Sequence, residues 1–159
     1  MLLSMDTTTN KHKHLLDYNH IIDGIYIGTN QCCQLHFDEF LIRNEDITVD
    51  ISLEIERLDQ PEGVEVYVWL PVTDHTALSQ DQLQFGVTTL QQLVQLGKKI
   101  YVHCKNGHGR APMLVAAYLT QQGYKADEAI TYIAKRRPVI HLDPTQLDAV
   151  KQFSDRSTK

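Results

Sequence analysis

The chain is short of several things, and each shortage excludes something. It has three cysteines in 159 residues. An odd and small count does not make a disulfide framework, and it suits a reducing compartment. No stretch stays apolar for the roughly 20 residues that a bilayer-spanning helix needs. Met1-Leu2-Leu3-Ser4-Met5 is too short for a signal-peptide core and runs straight into Asp6. A cytoplasmic protein is therefore expected, and a monomer. Basic residues are the minority: 15 Lys and Arg against 20 Asp and Glu leave a formal net charge of −5. That balance argues against a nucleic-acid partner. Any positive field that binds an anion must then be local. No internal repeat and no second domain is visible, and 42% hydrophobic residues are enough for one ordinary core.

What is present has a clear order. Residues 1–19 read as a polar, weakly ordered extension, and residues 20–159 as a single domain. Residues 21–28 hold an Asp23-Gly24 turn and a short strand. Thr29 or Asn30 can cap a helix reaching about Arg43. Residues 47–51 alternate as a strand, with Glu54 and Glu56 in a loop or short helix beyond it. Val64, Val66 and Val68 alternate again in a strand running to Leu70. Ser79 to Gln82 has the capping-box pattern. It opens a helix whose Leu83, Val87, Leu90 and Val94 form one apolar stripe, ending at Gly97. Residues 99–103 make a short apolar strand suited to the middle of a parallel sheet. A helix over 111–122 ends at Gly123. Ala126, Ala129, Ile130, Ile133 and Ala134 stripe another, stopped by Pro138. Asp143-Pro144 opens a last helix through Leu147, Val150 and Phe153. The alternation predicts a three-layer α/β fold, with a mostly parallel sheet of four to five strands and helices on both faces.

Between the strand at 99–103 and the helix at 111 lies His103-Cys104-Lys105-Asn106-Gly107-His108-Gly109-Arg110. A free thiol titrates near ~8.5, and at a helix N-terminus beside positive charge it falls to roughly 3.5–7.5. Cys104 has both influences, from the coming helix and from Arg110. Backbone N–H groups at a helix start and in a tight turn bind anions. Gly107 and Gly109 suit such a loop because glycine accepts backbone angles closed to other residues. Pro112 fits the first helical turn. Arg110 offers a planar fork for two phosphate oxygens. Thiolate, phosphate nest and fork together equip the loop for attack on a phosphate monoester and a phosphocysteine intermediate. The lysine and hydroxyl ending of a nucleotide P-loop is absent. Attack by a thiolate expels an oxyanion that needs a proton, and a carboxylic acid on a nearby loop can supply it. The candidate is Asp74, after the strand that reaches Leu70. No metal and no cofactor is called for.

The string HCKNGHGR, on strand, loop and helix in the C-terminal half, resembles the signature of the protein-tyrosine-phosphatase superfamily. The short chain is similar to the compact dual-specificity branch over about residues 21–153. Low-molecular-weight tyrosine phosphatases carry a related loop near their N-terminus, so motif order separates this chain from them. The resemblance implies the cysteine-phosphatase fold. It places the general acid in a strand-to-helix loop some 30 residues before the cysteine, which agrees with 104 − 74 = 30. It implies that His103 orients the loop and helps hold Cys104 as thiolate; a neutral core histidine is the plain alternative. His108 adds cation character or shapes the rim, and Lys105 is a solvated loop charge. The implied substrates are phosphotyrosine and phosphoserine or phosphothreonine proteins.

One departure stands out. The family normally has Ser or Thr after the arginine, and this chain has Ala111 and Pro112. A Gly-Arg-Ala-Pro ending resembles glucan phosphatases of the laforin and plant starch type. The alternative substrate is thus a non-protein ester, phosphoinositide or phosphoglucan, although a glucan role would usually bring a carbohydrate-binding module. A slow phosphate-binding module is the remaining alternative. Cys32 and Cys33 lie in an amphipathic stretch with Phe37, Phe40 and Leu41 and read as core residues before they read as a resolving thiol. His12, His14 and His20 have no cysteine or acidic ligands at useful spacing, so a polar tail is expected there in place of a metal cluster.

Overall fold

The computed structural model describes residues 16–30 and 37–157. Five strands form one sheet: β1 (Tyr18–Ile22), β2 (Ile25–Gly28), β3 (Val49–Glu54), β4 (Val66–Val72) and β5 (Ile100–His103). Their spatial order is β1-β2-β5-β3-β4. Only β1 and β2 are antiparallel; β2 with β5, β5 with β3, and β3 with β4 run parallel. Asp23 and Gly24 at the β1–β2 turn both have positive φ, 52° and 77°. Such turns match the twist of paired strands.

Among the described residues four α-helices lie in sequence order: α1 (Gln80–Gln95), α2 (Arg110–Gln121), α3 (Ala126–Arg136) and α4 (Pro144–Ser157). A π-helical segment, π1 (Phe37–Arg43), precedes β3. The α-helices supply one face of the sheet with a large core, in which α2 is buried from Arg110 to Leu119. Phe37 and Leu41 of π1, with Tyr26, Ile47 and Tyr101, fill a smaller cluster. The three layers follow from the alternation of strands and helices. The Ser79–Gln82 capping box forms in both directions, side chain to backbone.

Several boundaries move. β1 begins at Tyr18, inside the expected extension, because Arg137 bonds Asp17 and Asn19 on either side of it. β4 runs from Val66 to Val72, two residues beyond the expected Leu70 end. Glu54 closes β3 and is buried, so it is not a loop residue. The helix expected over 29–43 is seen as π1 from Phe37, and residues 31–36, with Cys32 and Cys33, lie outside the described residues. His12 and His14 also lie outside them. His20 sits in β1, its ring 5.0 Å from that of Tyr26. No helix among the described residues is long and apolar enough to cross a membrane.

Candidate active site

β5 is the central strand, so the loop that leaves it is anchored by neighbours on both sides. Cys104 follows β5 directly and is 3% exposed as a free thiol. Arg110 opens α2, one residue earlier than the pattern predicts, with Gly109 as N-cap. The two glycines differ. Gly107 has φ +65°, and a Cβ there would meet the Gly28 carbonyl oxygen at 2.6 Å and Arg137 Nη2 at 2.8 Å. Gly109 has φ −130°, open to any residue, so the expected conformational reason fails there. Its bare Cα instead makes room for the Gln146 side-chain oxygen, which would lie 2.7 Å from a Cβ. Lys105 and His108 are exposed, as a solvated loop charge and a rim residue would be.

Arg110 is almost wholly buried. Its Nη1 donates to both carboxylate oxygens of Glu56, at 3.1 and 2.8 Å, and to the Val72 carbonyl at 2.9 Å. Its Nε lies 3.4 Å from Asp74 Oδ1 and is buried without a hydrogen-bond partner. Nη1 of the guanidinium is thus braced, and Nε faces the Asp74 carboxylate without a hydrogen bond to it. Desolvation works against charge on Glu56, but the hydrogen bond to Arg110, a backbone hydrogen bond and the charges of Arg110 and Lys105 together outweigh it and hold this carboxyl below its ordinary range.

Cys104, Asn106, Gly109, Arg110 and Asp74 line one pocket of about 100 Å³, the size of a phosphoryl group with little to spare. A larger, open hollow of about 660 Å³ lies beside Tyr124 and, on α3, Tyr132 and Arg136, but it contains no cysteine and none of these groups. Size therefore does not mark the site. Asp74 is half exposed in the turn after β4, where its Oδ1 accepts from the His75 backbone N–H at 3.0 Å. His75 adopts φ 60°, and its Nδ1 lies 2.9 Å from Asp143 Oδ2 at the start of α4. Gln146 of α4 donates to the Thr76 carbonyl at 3.1 Å. The acid-bearing turn is thus fastened to α4.

His103 is fully buried, with Nε2 3.0 Å from Asp50 Oδ1 and 2.9 Å from Asp59 Oδ2. Burial favours the neutral ring, but these two carboxylates outweigh it and push His103 up to about 10. These contacts favour an imidazolium over a neutral core histidine. Asp50, Asp59 and His103 are also the one grouping with metal-ligand spacing among the described residues. An imidazolium at ion-pair distance from both carboxylates accounts for it, and Arg57 Nε already sits 3.0 Å from Asp59 Oδ1.

The structure brings Cys104, Arg110 and Asp74 to one pocket and places His103 behind it. Sequence reasoning missed Glu56, Asp50, Asp59 and Arg137. Arg137 is fully buried and donates to the carbonyls of Gly107 and Asn106, at 2.9 and 3.0 Å. An arginine directly before Pro138, at the end of an amphipathic helix, was the available signal.

Comparison with known proteins identifies the family and the fold. The profile described as "Dual specificity phosphatase, catalytic domain" matches residues 25–156. The human protein named phosphatidylglycerophosphatase and protein-tyrosine phosphatase 1 is 42% identical over 91 residues, 56% of this chain and 45% of that protein. Mouse laforin is 30% identical over 118 residues, 72% of this chain and 34% of that protein. The alignments thus span less than half the length of these curated relatives. The crystal structure of PTPMT1 in complex with PI(5)P superposes with a TM-score of 0.78 at 27% identity, covering 89% of this chain and 96% of that one.

Proposed function

The chain belongs to the dual specificity phosphatase catalytic-domain family, and on that premise we propose that Cys104 is the nucleophile of a phosphate monoester hydrolase. The observation that carries this reading is the convergence of Cys104, Arg110 and Asp74 on one phosphoryl-sized pocket. The thiolate attacks phosphorus in line, an S–P bond forms and the P–O bond to the leaving group breaks. Asp74 gives its proton to the departing oxygen. Water then attacks the phosphocysteine, Asp74 takes the water proton, the S–P bond breaks and inorganic phosphate leaves. The Nε edge of Arg110 and the loop N–H groups hold the equatorial oxygens where charge gathers. Glu56 and the Val72 carbonyl hold Nη1 of the fork in place.

For the alcohol half of the ester we favour a phospholipid headgroup over a phosphoprotein. The names of the relatives support this, as do two apolar side chains on the segment that carries Glu56: Ile55 is 49% exposed and Leu58 61%. The test is a side-by-side assay on vesicles carrying phosphatidylglycerophosphate or phosphoinositides, on phosphotyrosine, phosphoserine and phosphothreonine peptides, and on phosphoglucan. A higher kcat/KM on the peptides would overturn the lipid reading. Cys104→Ser should abolish hydrolysis of a simple aryl phosphate; more than a few per cent of residual activity would remove Cys104 from its role.

A further inference from the structure

Strand alternation divides β5 and β3 between two faces. Ile100, Val102 and Cys104 join the larger core, with Val49, Ile51 and Leu53 beside them. Tyr101 points to the smaller cluster. His103 shares the side of Tyr101 and stacks on it with ring centroids 5.5 Å apart. Asp50, Ser52 and Glu54 alternate onto that side of β3, and the register sets Asp50 against Tyr101 and Ser52 against His103. A layer of buried polar groups therefore lies across the sheet from the nucleophile. The reaction proposed above does not use it.

The charges in this layer constrain one another. His103 Nε2 faces Asp50 and Asp59, and its Nδ1 is 3.9 Å from Glu54 Oε2. Asp50, Glu54 and Asp59 are all buried. An ionised carboxylate stripped of water needs a fixed cation close by. Arg57 serves the outer oxygen of Asp59, and Tyr67 accepts from the Asp59 backbone N–H at 3.1 Å. His103 Nε2 lies within 3.0 Å of both Asp50 and Asp59. Burial opposes charge on Asp59, but His103 first and Arg57 after it hold this carboxyl low. Burial pushes the carboxyls of Asp50 and Glu54 upward.

We propose that Asp59 and Asp50 are positioning residues for the nucleophile, acting through His103: they fix a cation one residue from Cys104, on the other face of β5, and so favour the thiolate. The charge reaches the sulfur through the strand and not across the pocket. Asp59 adds a second connection. It rides on the segment after β3 that also carries Glu56, the brace of Arg110. One stretch of chain thus holds both the counter-charge of His103 and the orientation of the phosphate fork. The inference rests on the phosphocysteine reading.

Its test is the pH profile of Cys104 alkylation by iodoacetate, read on the Cys104 peptide by mass spectrometry in wild type, Asp59→Asn and Asp50→Asn. Both variants are close to isosteric. In each, the alkylation midpoint should move up by about one unit, seen as roughly tenfold slower alkylation at a pH below both midpoints. The shift should vanish in a His103→Gln background. An unmoved midpoint in a folded variant, or the same shift without His103, overturns the proposal. A second measurement, on the wild type, does not depend on how the variants fold. The His103 imidazole signals should report a charged ring at pH 7 to 9, and a neutral ring at pH 7 overturns the proposal. Failure of the phosphocysteine reading would look different, as activity that survives Cys104→Ser.

Discussion

Arg137 holds Gly107 from behind, Nε to carbonyl at 2.9 Å. Its Nη2 takes the neighbouring Asn106 carbonyl, so two loop oxygens are turned outward. Turning them out leaves the loop N–H groups to face an anion. Arg137→Met keeps the bulk and leaves two carbonyls without a partner. At 1–3 kcal/mol for each such group, the variant should lose about 3 kcal/mol of stability. Vanadate affinity should fall by at least tenfold as well, measured on protein that still melts cooperatively. Full vanadate affinity in Arg137→Met would show that the loop holds its shape unaided.

Asp74→Ala should lower turnover by about 10²–10⁴, the span of a positioned general acid. The loss should shrink for an aryl phosphate whose leaving group needs no proton, and substrate binding should survive. Equal losses on good and poor leaving groups would place the acid elsewhere.

Ala111 supplies no hydroxyl to the cysteine sulfur. A charge-assisted hydrogen bond of this kind contributes roughly 1.5–3 kcal/mol, and each ~1.4 kcal/mol is tenfold in rate. His103 does not replace it, since Nε2 faces Asp50 and Asp59 and Nδ1 faces Glu54. Breakdown of the phosphocysteine should therefore be slow, giving a pre-steady-state burst with a good aryl phosphate. Ala111→Ser should shrink the burst and speed the steady state. Stopped-flow traces with no burst and unchanged turnover in the variant would show that another donor has taken over.

His75 gains Asp143 as a partner only in the folded chain. The hydrogen bond to Asp143, then the charges of Asp74 and Asp143, raise it above its ordinary 6.5. A cation favoured by folding stabilises fully below that ordinary value, and the gain is lost as pH rises through the higher folded one. The stability gap between wild type and His75→Gln should thus be widest near pH 5.5 and close toward pH 9. Urea melts across that range measure it, and a gap that grows with pH would contradict the assignment.

Much of the site is legible in the sequence because it is local. Cys104 to Arg110 is one strand-to-helix connection, and residues that bind an anion there must be near in sequence. Asp74 is legible through its place after a strand. Glu56, Asp59 and Asp50 are not, because each acts on a partner about fifty positions away, and isolated acidic residues near a strand end look like ordinary surface charge. Asp50 breaks the apolar alternation of β3, but a pattern cannot tell a buried carboxylate from a register slip. Arg137 is hidden for the same reason: its partners lie some 30 and 120 positions away. Of the fold, the α-helices and their caps read well, since stripes and caps are short-range. The shift of β4 toward Val72 does not, because Trp69 fixes the strand by donating to the Glu54 carbonyl at 2.6 Å, a contact between strands.

The sheet order separates the two halves of the chemistry in a further way. β5, which delivers Cys104, is paired on both sides, whereas β4, which delivers Asp74, is an edge strand paired, among the described residues, with β3 alone. Edges open at lower free energy than centres. Amide hydrogens of β4 should exchange with solvent sooner than those of β5, so the two residues belong to different layers of protection. In mild denaturant the protein should then fail by halves. Hydrolysis of esters with poor leaving groups should decline first, while the thiol can still be phosphorylated by esters that leave unaided.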